Sequence, residues 1–283
     1  MSAKPRLLLI NALRHAGGSY ALRPTEGTRE QMVMDYDNVA SLLAEVEWDV
    51  HPGAPATHGD WGVETLEEFM IVGANRLPLV REGCESGRYD AIVLLGGGDP
   101  GFAEAREIGR RHGIPVTSCG HAQMHVASMV GHRFGIIDIS EKHNVQMARL
   151  VVEYRFTERC TGIRNLDYPL PRPTRSDRPS IASEKAKALA GETCSMLEAA
   201  FTAAEAAIQE DGAEVLMLGC SAAYWMQPFL QRRLNEAGWD IPVLEGYRCA
   251  IEQAKLLARL GLDASGLMLP KDPPARSRRR RLV

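Results

Sequence analysis

Long hydrophobic runs are missing from this 283-residue chain. No stretch reaches the roughly 18 apolar residues that a membrane-spanning helix requires, which argues against an integral membrane protein. The apolar part of the N-terminal segment, residues 6–10, is also too short for the core of a signal peptide. We therefore predict a cytoplasmic protein with no membrane partner.

The chain also lacks a strong charge of either sign. Its 33 basic and 36 acidic residues give a formal net charge of −3. This balance provides no field that would attract nucleic acid, so no nucleic-acid partner is predicted. The Pro-rich and Arg-rich segment at residues 267–283 is a local exception. We interpret it as a disordered basic tail, because an arm without a basic face on the body would bind nucleic acid only weakly.

Paired cysteine motifs are absent. The six cysteines, at positions 84, 119, 160, 194, 220 and 249, are widely spaced and form no CxxC pattern. In a chain of this length, the spacing argues against a disulfide framework and against a cysteine-based zinc site. Free thiols in a reducing compartment are the expected state.

What the chain does contain is a regular alternation of short apolar runs with helical patterns. Strands are predicted near residues 7–11, 48–51, 91–95, 114–118, 134–139, 215–218 and 241–244. Amphipathic helices are predicted over residues 28–45, 64–84, 102–112, 122–130, 141–152, 183–209, 226–237 and 248–260. This alternation is typical of an α/β fold with parallel sheets covered by helices.

Two loops interrupt the alternation. One covers residues 17–27, after the first strand, and the other covers residues 167–180 and contains four prolines. Long loops of this kind are often binding loops or lids, and otherwise solvated connections. The two loops and their flanks carry arginines that could hold a carboxylate, namely Arg14, Arg23, Arg172, Arg175 and Arg178.

Two strand ends share a local pattern. Residues 91–96 and 215–219 each form a buried apolar run that ends in Leu-Gly, and Cys220 directly follows the second run. Ligands of open α/β sheets bind at the carboxyl ends of the strands. Cys220 is therefore either a reactive group or a small, inert core residue. The two strand ends could face each other across a cleft.

Several short motifs follow one another in a family-like order. They are Gly-Asp-Pro-Gly at 98–101, Ile-Pro-Val at 114–116, Ala-Gln-Met-His at 122–125, Arg-Cys-Thr-Gly-Ile-Arg at 159–164, Leu-Gly-Cys-Ser at 218–221 and Pro-Val-Leu-Glu-Gly at 242–246. Each motif is weak alone. Together they make the chain resemble the aspartate/glutamate racemase superfamily, and within it the hydantoin racemase branch.

The resemblance implies two similar parallel-sheet α/β lobes related by a pseudo-two-fold axis, with the active site in the cleft between them. On this basis we expect residues 1–115 and 225–266 to form lobe 1 and residues 116–224 to form lobe 2. It also implies a homo-oligomer and catalysis without a cofactor. In the family, one cysteine from each lobe flanks an acidic carbon of the substrate, so that a thiolate removes a proton and the opposite thiol supplies one. Cys220 occupies the second-lobe position.

The first-lobe cysteine of the family is replaced in this chain. The expected position is Gly96, at the start of the run Gly96, Gly97 and Gly98. Three glycines can bring backbone N–H groups close to an anion, or can form a tight turn without a ligand. Cys119 and His121 lie at the next strand end, and either could replace the missing acid or base.

The remaining predicted substrate contacts lie near other strand ends and motifs: Asn11, Arg14, Asp99, Ser140 and Ser221. Relatives have an Asn-rich loop where this chain has Asn11 and Arg14, and hydroxyl residues where it has Asp138 and Ser140. His121 and His125 are spaced to hold a metal on one helix face, but no carboxylate completes a ligand set, so no metal site is predicted.

The leading functional hypothesis is racemisation or epimerisation of a hydantoin-like cyclic ureide, or of a carboxylate, at a carbon beside a carbonyl. The first alternative is a single-cysteine decarboxylase, since arylmalonate decarboxylases have one cysteine and a glycine at the other position. A second is a hydrolase or desulfhydrase of a hydantoin or thiohydantoin ring, with Cys220 as nucleophile and His121 as base. A third is a non-catalytic binding protein, which would leave the strand-end thiol without a purpose.

Overall fold

The computed structural model describes residues 4–18, 20–24, 26–175, 180–273, 276 and 279. This part of the chain contains eight strands: β1 (Arg6–Ile10), β2 (Glu47–His51), β3 (Ala91–Leu94), β4 (Val116–Ser118), β5 (Phe134–Asp138), β6 (Cys160–Asn165), β7 (Val215–Leu218) and β8 (Val243–Leu244). It also contains ten α-helices: α1 (Arg29–Met32), α2 (Tyr36–Leu43), α3 (Leu66–Glu85), α4 (Phe102–His112), α5 (Cys119–Val130), α6 (Glu141–Glu153), α7 (Ile181–Leu189), α8 (Ser195–Gln209), α9 (Gln227–Glu236) and α10 (Gly246–Leu260). A 3-10 helix covers Ser221–Met226.

The strands form two parallel four-stranded sheets with the same internal order. The first sheet runs β2-β1-β3-β4 and the second runs β6-β5-β7-β8. In each sheet the first strand in sequence lies between the second and the third, so the two halves of the chain repeat one topology. All four residues of β3 and all four of β7 are buried, because helices cover both faces of the sheets. The predicted α/β fold with two similar lobes is confirmed.

The lobe boundaries differ from the predicted ones at two strands. β4 pairs with β3, so the first sheet continues to Ser118 and does not stop at residue 115. β8 pairs with β7 and therefore belongs to the second sheet, although residues 225–266 were assigned to lobe 1. The final helix α10 does return to the first lobe, where the buried Thr117 hydroxyl donates to the carbonyl of Ala250 at 2.9 Å.

Several elements differ from the sequence prediction for local reasons. The helix predicted over 28–45 is divided at Asp35, which has a left-handed φ of 57°. The helix predicted over 183–209 is divided near Gly191, with φ of 73°. β6 was not predicted, because its residues are mostly half-buried and mix polar with apolar side chains. Of the predicted basic tail, residues 274–275, 277–278 and 280–283 lie outside the described residues. Among the described helices, none is long and apolar enough to cross a bilayer.

Candidate active site

A small cavity lies where the carboxyl ends of the two sheets approach each other. It has a volume of about 70 Å³, and its walls include Asn11, Leu13, His15, Arg23, Phe69, Gly96, Gly97, Gly98, His143, Leu170, Cys220, Ser221 and Tyr247. The two strand-end loops meet directly, since a Cβ atom on Gly97 would lie 2.8 Å from Cys220 Cα. The structure therefore places the two Leu-Gly strand ends in one cleft.

Cys220 belongs to a group of three interacting side chains on the second-lobe wall. The thiol lies directly after β7 and is only 4% exposed. His143, in the first turn of α6, lines the same cavity wall, and the thiol interacts electrostatically with its ring. On the other side of the ring, His143 Nδ1 donates to Asp138 Oδ2 at 2.7 Å. Asp138 is the last residue of β5, and it has room there because Gly219 carries no side chain.

The side chains around His143 favour its protonated form. Burial acts to lower the pKa of His143, but Asp138 and Cys220 outweigh burial and raise that pKa well above its ordinary value. An imidazolium next to a thiol is the arrangement that activates cysteine as a base or nucleophile. Asp138 also fixes the ring orientation, as the acidic member does in catalytic triads. The second-lobe wall thus carries a Cys-His-Asp site.

The first-lobe wall presents backbone and cationic groups. Gly96 adopts a φ of +130°, and a side chain on Gly98 would overlap the ring of Phe69, so this loop is restricted to glycine at both positions. Asn11 is buried, and its Nδ2 donates to the carbonyl of Met32 at 3.0 Å. Gly96, Gly98 and Asn11 line the cavity together with Cys220.

Arg23 supplies a positive charge to the same wall. Its guanidinium donates to the carbonyls of Leu13 at 2.6 Å, Pro52 at 3.2 Å and Pro24 at 3.3 Å. Burial lowers the pKa of Arg23, and among the described residues no carboxylate forms an ion pair with it. A cation with only neutral partners favours a negative charge on the ligand or on a reaction intermediate.

The structure does not bring Cys119 and His121 into the cavity. Cys119 begins α5 and is fully buried; its Sγ donates to the carbonyl of Leu94 at 3.5 Å, and burial raises its pKa well above the ordinary value. His121 packs between Phe102 and Tyr154, with its Nε2 3.0 Å from Nε2 of His125. Burial, His125 and Arg106 lower the pKa of His121 to about 3. The first turn of α5 directs both side chains away from Cys220.

Asp99 caps a helix and does not line the cavity. Its Oδ1 accepts from the Ser118 hydroxyl at 2.7 Å and the Gly120 N–H at 2.8 Å. Its Oδ2 accepts from the His121 N–H at 2.7 Å and the Tyr154 hydroxyl at 3.0 Å. Three of these donors lie at the start of α5 and Tyr154 follows α6, so Asp99 holds the glycine loop against both helices.

Two more predicted substrate contacts lie outside the cavity. Ser140 caps α6 by accepting from the His143 N–H at 3.3 Å, and it donates to Glu64 Oε1 at 2.7 Å. Arg14 is exposed and forms a backbone bridge with Pro55. Asn11, Ser221 and the three glycines, by contrast, line the cavity with Cys220. Within the described ranges, no group of three or more His, Cys, Asp or Glu side chains is arranged to hold a metal.

The described part of the proline-rich loop, residues 167–175, contacts the first lobe and contributes to the cavity wall. Leu170 lines the cavity, and its N–H donates to Glu64 Oε1 at 3.0 Å. Arg172 and Arg175 lie 2.9 Å and 2.7 Å from Glu64 Oε2, and Arg172 also pairs with Glu68 at 3.2 Å. These two arginines therefore hold carboxylates of the protein itself. Arg178 lies outside the described residues.

The model of the family described as Asp/Glu/Hydantoin racemase matches residues 71–254. The chain belongs to the Asp/Glu/hydantoin racemase family. It is 25% identical over 194 residues to the hydantoin racemase of Pseudomonas sp. (strain NS671), an alignment that covers 69% of this chain and 68% of that protein. It is 29% identical over 176 residues to the hydantoin racemase of Paenarthrobacter aurescens, with 62% of this chain and 64% of that protein covered.

Solved structures of the family share the fold. The allantoin racemase from Klebsiella pneumoniae superposes with a TM-score of 0.68 at 22% identity, covering 99% of this chain and 96% of that chain. At this identity the likeness shows the common fold of the racemase family. Together with the family match and the named relatives, it establishes the chain as an enzyme of the isomerase class.

Sequence reasoning missed His143, Asp138 and His15 as members of the site. A detectable signal exists for the first two, because an acidic residue at a strand end followed by a histidine in the first turn of the next helix places both near the carboxyl edge of the sheet. His15 gives no comparable signal, since it lies in an irregular loop.

Proposed function

We propose that this enzyme racemises or epimerises a small cyclic ureide at a carbon beside a carbonyl, with Cys220 as one of its acid–base groups and without a cofactor. The observation that carries the proposal is the Cys220–His143–Asp138 chain at the wall of the interlobe cavity. The names of the relatives, hydantoin racemase and allantoin racemase, support a ring with an acidic carbon between a nitrogen and a carbonyl.

The site offers each component of proton abstraction from such a carbon. The Cys220 sulfur takes the proton, and the electrons of the C–H bond move into the neighbouring carbonyl to form an enolate. Arg23 and the backbone of the glycine loop lie where they can stabilise the negative oxygen. Return of a proton to the opposite face inverts the carbon and completes the reaction.

A second function is favoured by the same three side chains. Cysteine, histidine and an acidic residue in this order are the components of thiol hydrolases. Cys220 could attack a ring carbonyl, the ring C–N bond would break with a proton from His143 passing to nitrogen, and water would release the acyl group. Ring opening without inversion would identify this reaction.

The test uses single enantiomers of 5-substituted hydantoins and of allantoin in deuterium oxide. We expect loss of optical rotation together with incorporation of one deuterium at the reacting carbon, and no ring-opened product. Release of carbon dioxide from a carboxylated ring would instead identify a decarboxylase. Cys220→Ala should reduce turnover at least 10³-fold, a loss of the order found when a catalytic nucleophile or base is removed.

Cys160→Ala is the matched control. Cys160 lies in the same lobe on β6, is partly exposed and does not line the cavity. This variant should retain full activity. If Cys220→Ala were as active as Cys160→Ala, the thiol would have no role in the reaction and the proposal would be rejected.

A further inference from the structure

Inversion of a carbon needs acid–base groups on two opposite faces, and Cys220 supplies only one. Among the described residues, the titratable side chains on the cavity wall apart from Cys220 and His143 are His15, Arg23 and Tyr247. Arginine remains charged at any working pH and has no basic form to offer. Burial raises the pKa of Tyr247, which keeps its hydroxyl protonated. His15 is the remaining group on that wall with an accessible acid and base form.

His15 lies in the first-lobe loop after β1 and is only 6% exposed. Its Nδ1 lies 3.3 Å from Asp60 Oδ1. Asp60 is itself fixed by the N–H groups of Ala16 at 2.6 Å and Gly18 at 3.1 Å. The other ring nitrogen, Nε2, makes no hydrogen bond to any residue in the described part of the chain. Nδ1 has a carboxylate at ion-pair distance but no hydrogen-bond partner among the described residues. A ring that is buried in a cavity wall and faces a carboxylate through Nδ1 leaves Nε2 for a ligand.

The two lobes thus present similar pairs to one cavity. Asp60 and His15 come from the first lobe, and Asp138 and His143 come from the second. The pairs differ in charge. Burial lowers the pKa of His15, with Arg23 and His58 acting in the same direction and Asp60 opposing them. The ring of His15 is therefore mainly neutral near pH 7, where it can accept a proton.

We propose that His15 is the acid–base group on the face opposite Cys220, in place of the thiol that Gly96 cannot provide. This assignment rests on the proposed racemase function. With one enantiomer, the Cys220 thiolate removes the proton, the C–H electron pair enters the enolate, and protonated His15 delivers its Nε2 proton to the other face. With the opposite enantiomer, neutral His15 removes the proton and the Cys220 thiol delivers one. Asp60 acts as a positioning residue for His15.

The acid–base groups on the two faces of the substrate carbon can be tested separately, by following the exchange of the substrate proton with solvent deuterium for each enantiomer. His15→Gln should lose at least 100-fold in racemisation in both directions. It should still exchange the proton of one enantiomer with deuterium, because Cys220 can remove and return it on one face. Cys220→Ser should show the reverse, with residual exchange of the other enantiomer only. His112→Gln, an exposed histidine at the end of α4 and outside the cavity, is the matched control and should keep racemisation within about twofold of the wild type.

Circular dichroism and thermal unfolding would show that each variant is folded, and His15→Asn provides a second substitution at the same site. Racemisation by folded His15→Gln or His15→Asn within about threefold of the wild type would overturn the role of His15 and leave the proposed function intact. If these folded variants exchanged the substrate proton of neither enantiomer with deuterium, the assignment of His15 to one face of the substrate carbon would also be overturned. A wild-type enzyme that exchanges no proton of any probe would reject the proposed function and this inference with it.

Discussion

Glu64 joins the two lobes above the cavity, and its replacement by glutamine should strongly destabilise the protein. The side chain is completely buried. Its Oε1 accepts from the Ser140 hydroxyl at 2.7 Å and the Leu170 N–H at 3.0 Å, and its Oε2 contacts Arg175 at 2.7 Å and Arg172 at 2.9 Å. All four partners belong to the second lobe, whereas Glu64 precedes α3 in the first lobe.

The size of the effect follows from this burial. Glutamine has nearly the same shape, but it removes the Glu64 charge from Arg175 and from Arg172, which keeps only its pair with Glu68; the two arginine side chains are 24% and 10% exposed. Breaking a buried ion pair by removing one partner costs about 3–5 kcal/mol, because the remaining charge stays desolvated. For a chain of this size, each kcal/mol corresponds to roughly 2–4 °C in Tm, so a decrease of about 6–20 °C is expected.

Urea unfolding followed by circular dichroism, with the wild type measured in parallel, gives the free energy difference directly. Glu47→Gln is the control, because the side chains of Arg6 and Glu47 are 46% and 55% exposed, and an ion pair between exposed side chains contributes little to stability. High salt should weaken the Glu47 pair but not the Glu64 contacts. A loss below about 1 kcal/mol in Glu64→Gln would refute the idea that these contacts hold the loop over the cavity.

The other predictions concern the site and its surroundings. Asp138→Asn should lower the pKa of His143, so that the protonated ring is lost at a lower pH. Alkylation of Cys220 by iodoacetamide at pH 7 should then slow at least tenfold. An unchanged alkylation rate would contradict the Cys-His-Asp arrangement. Gly97→Ala should lower the activity and reduce the free energy of unfolding by roughly 1–3 kcal/mol, because the new Cβ would lie 2.8 Å from Cys220 Cα. A rate measurement and a melting curve would test the two effects. His121→Gln should keep its kcat/KM within about threefold. Because folding lowers the pKa of His121 from 6.5 to about 3, protonation favours the unfolded state, and this variant should lose less stability than the wild type as the pH falls from 6.5 to 3.

Local patterns were enough to predict most of the scaffold. The strand that ends at Leu218 and the helix over Phe102–His112 were predicted with their observed bounds. An uninterrupted apolar run marks the strand and regular helical spacing of apolar residues marks the helix, and both patterns can be recognised from residues close in sequence. The half-buried edge strand β6 was missed because it has no such periodicity. The boundary of the first lobe was wrong because membership of β4 in a sheet depends on its pairing with β3, which no local pattern records.

The sequence by itself determined the α/β class, the thiol at the end of β7 and the glycine loop that faces it, since these features follow from local composition and from the resemblance to a family. Only the tertiary structure decided which groups meet Cys220. Proximity in sequence suggested Cys119 and His121, but the first turn of α5 directs them elsewhere. His143 reaches the thiol because β5 and β7 are adjacent in the second sheet, and His15 reaches the cavity because the two sheets place their carboxyl ends together. Side chains from distant segments form this site, and their contacts are set by strand pairing and packing, which act over the whole chain.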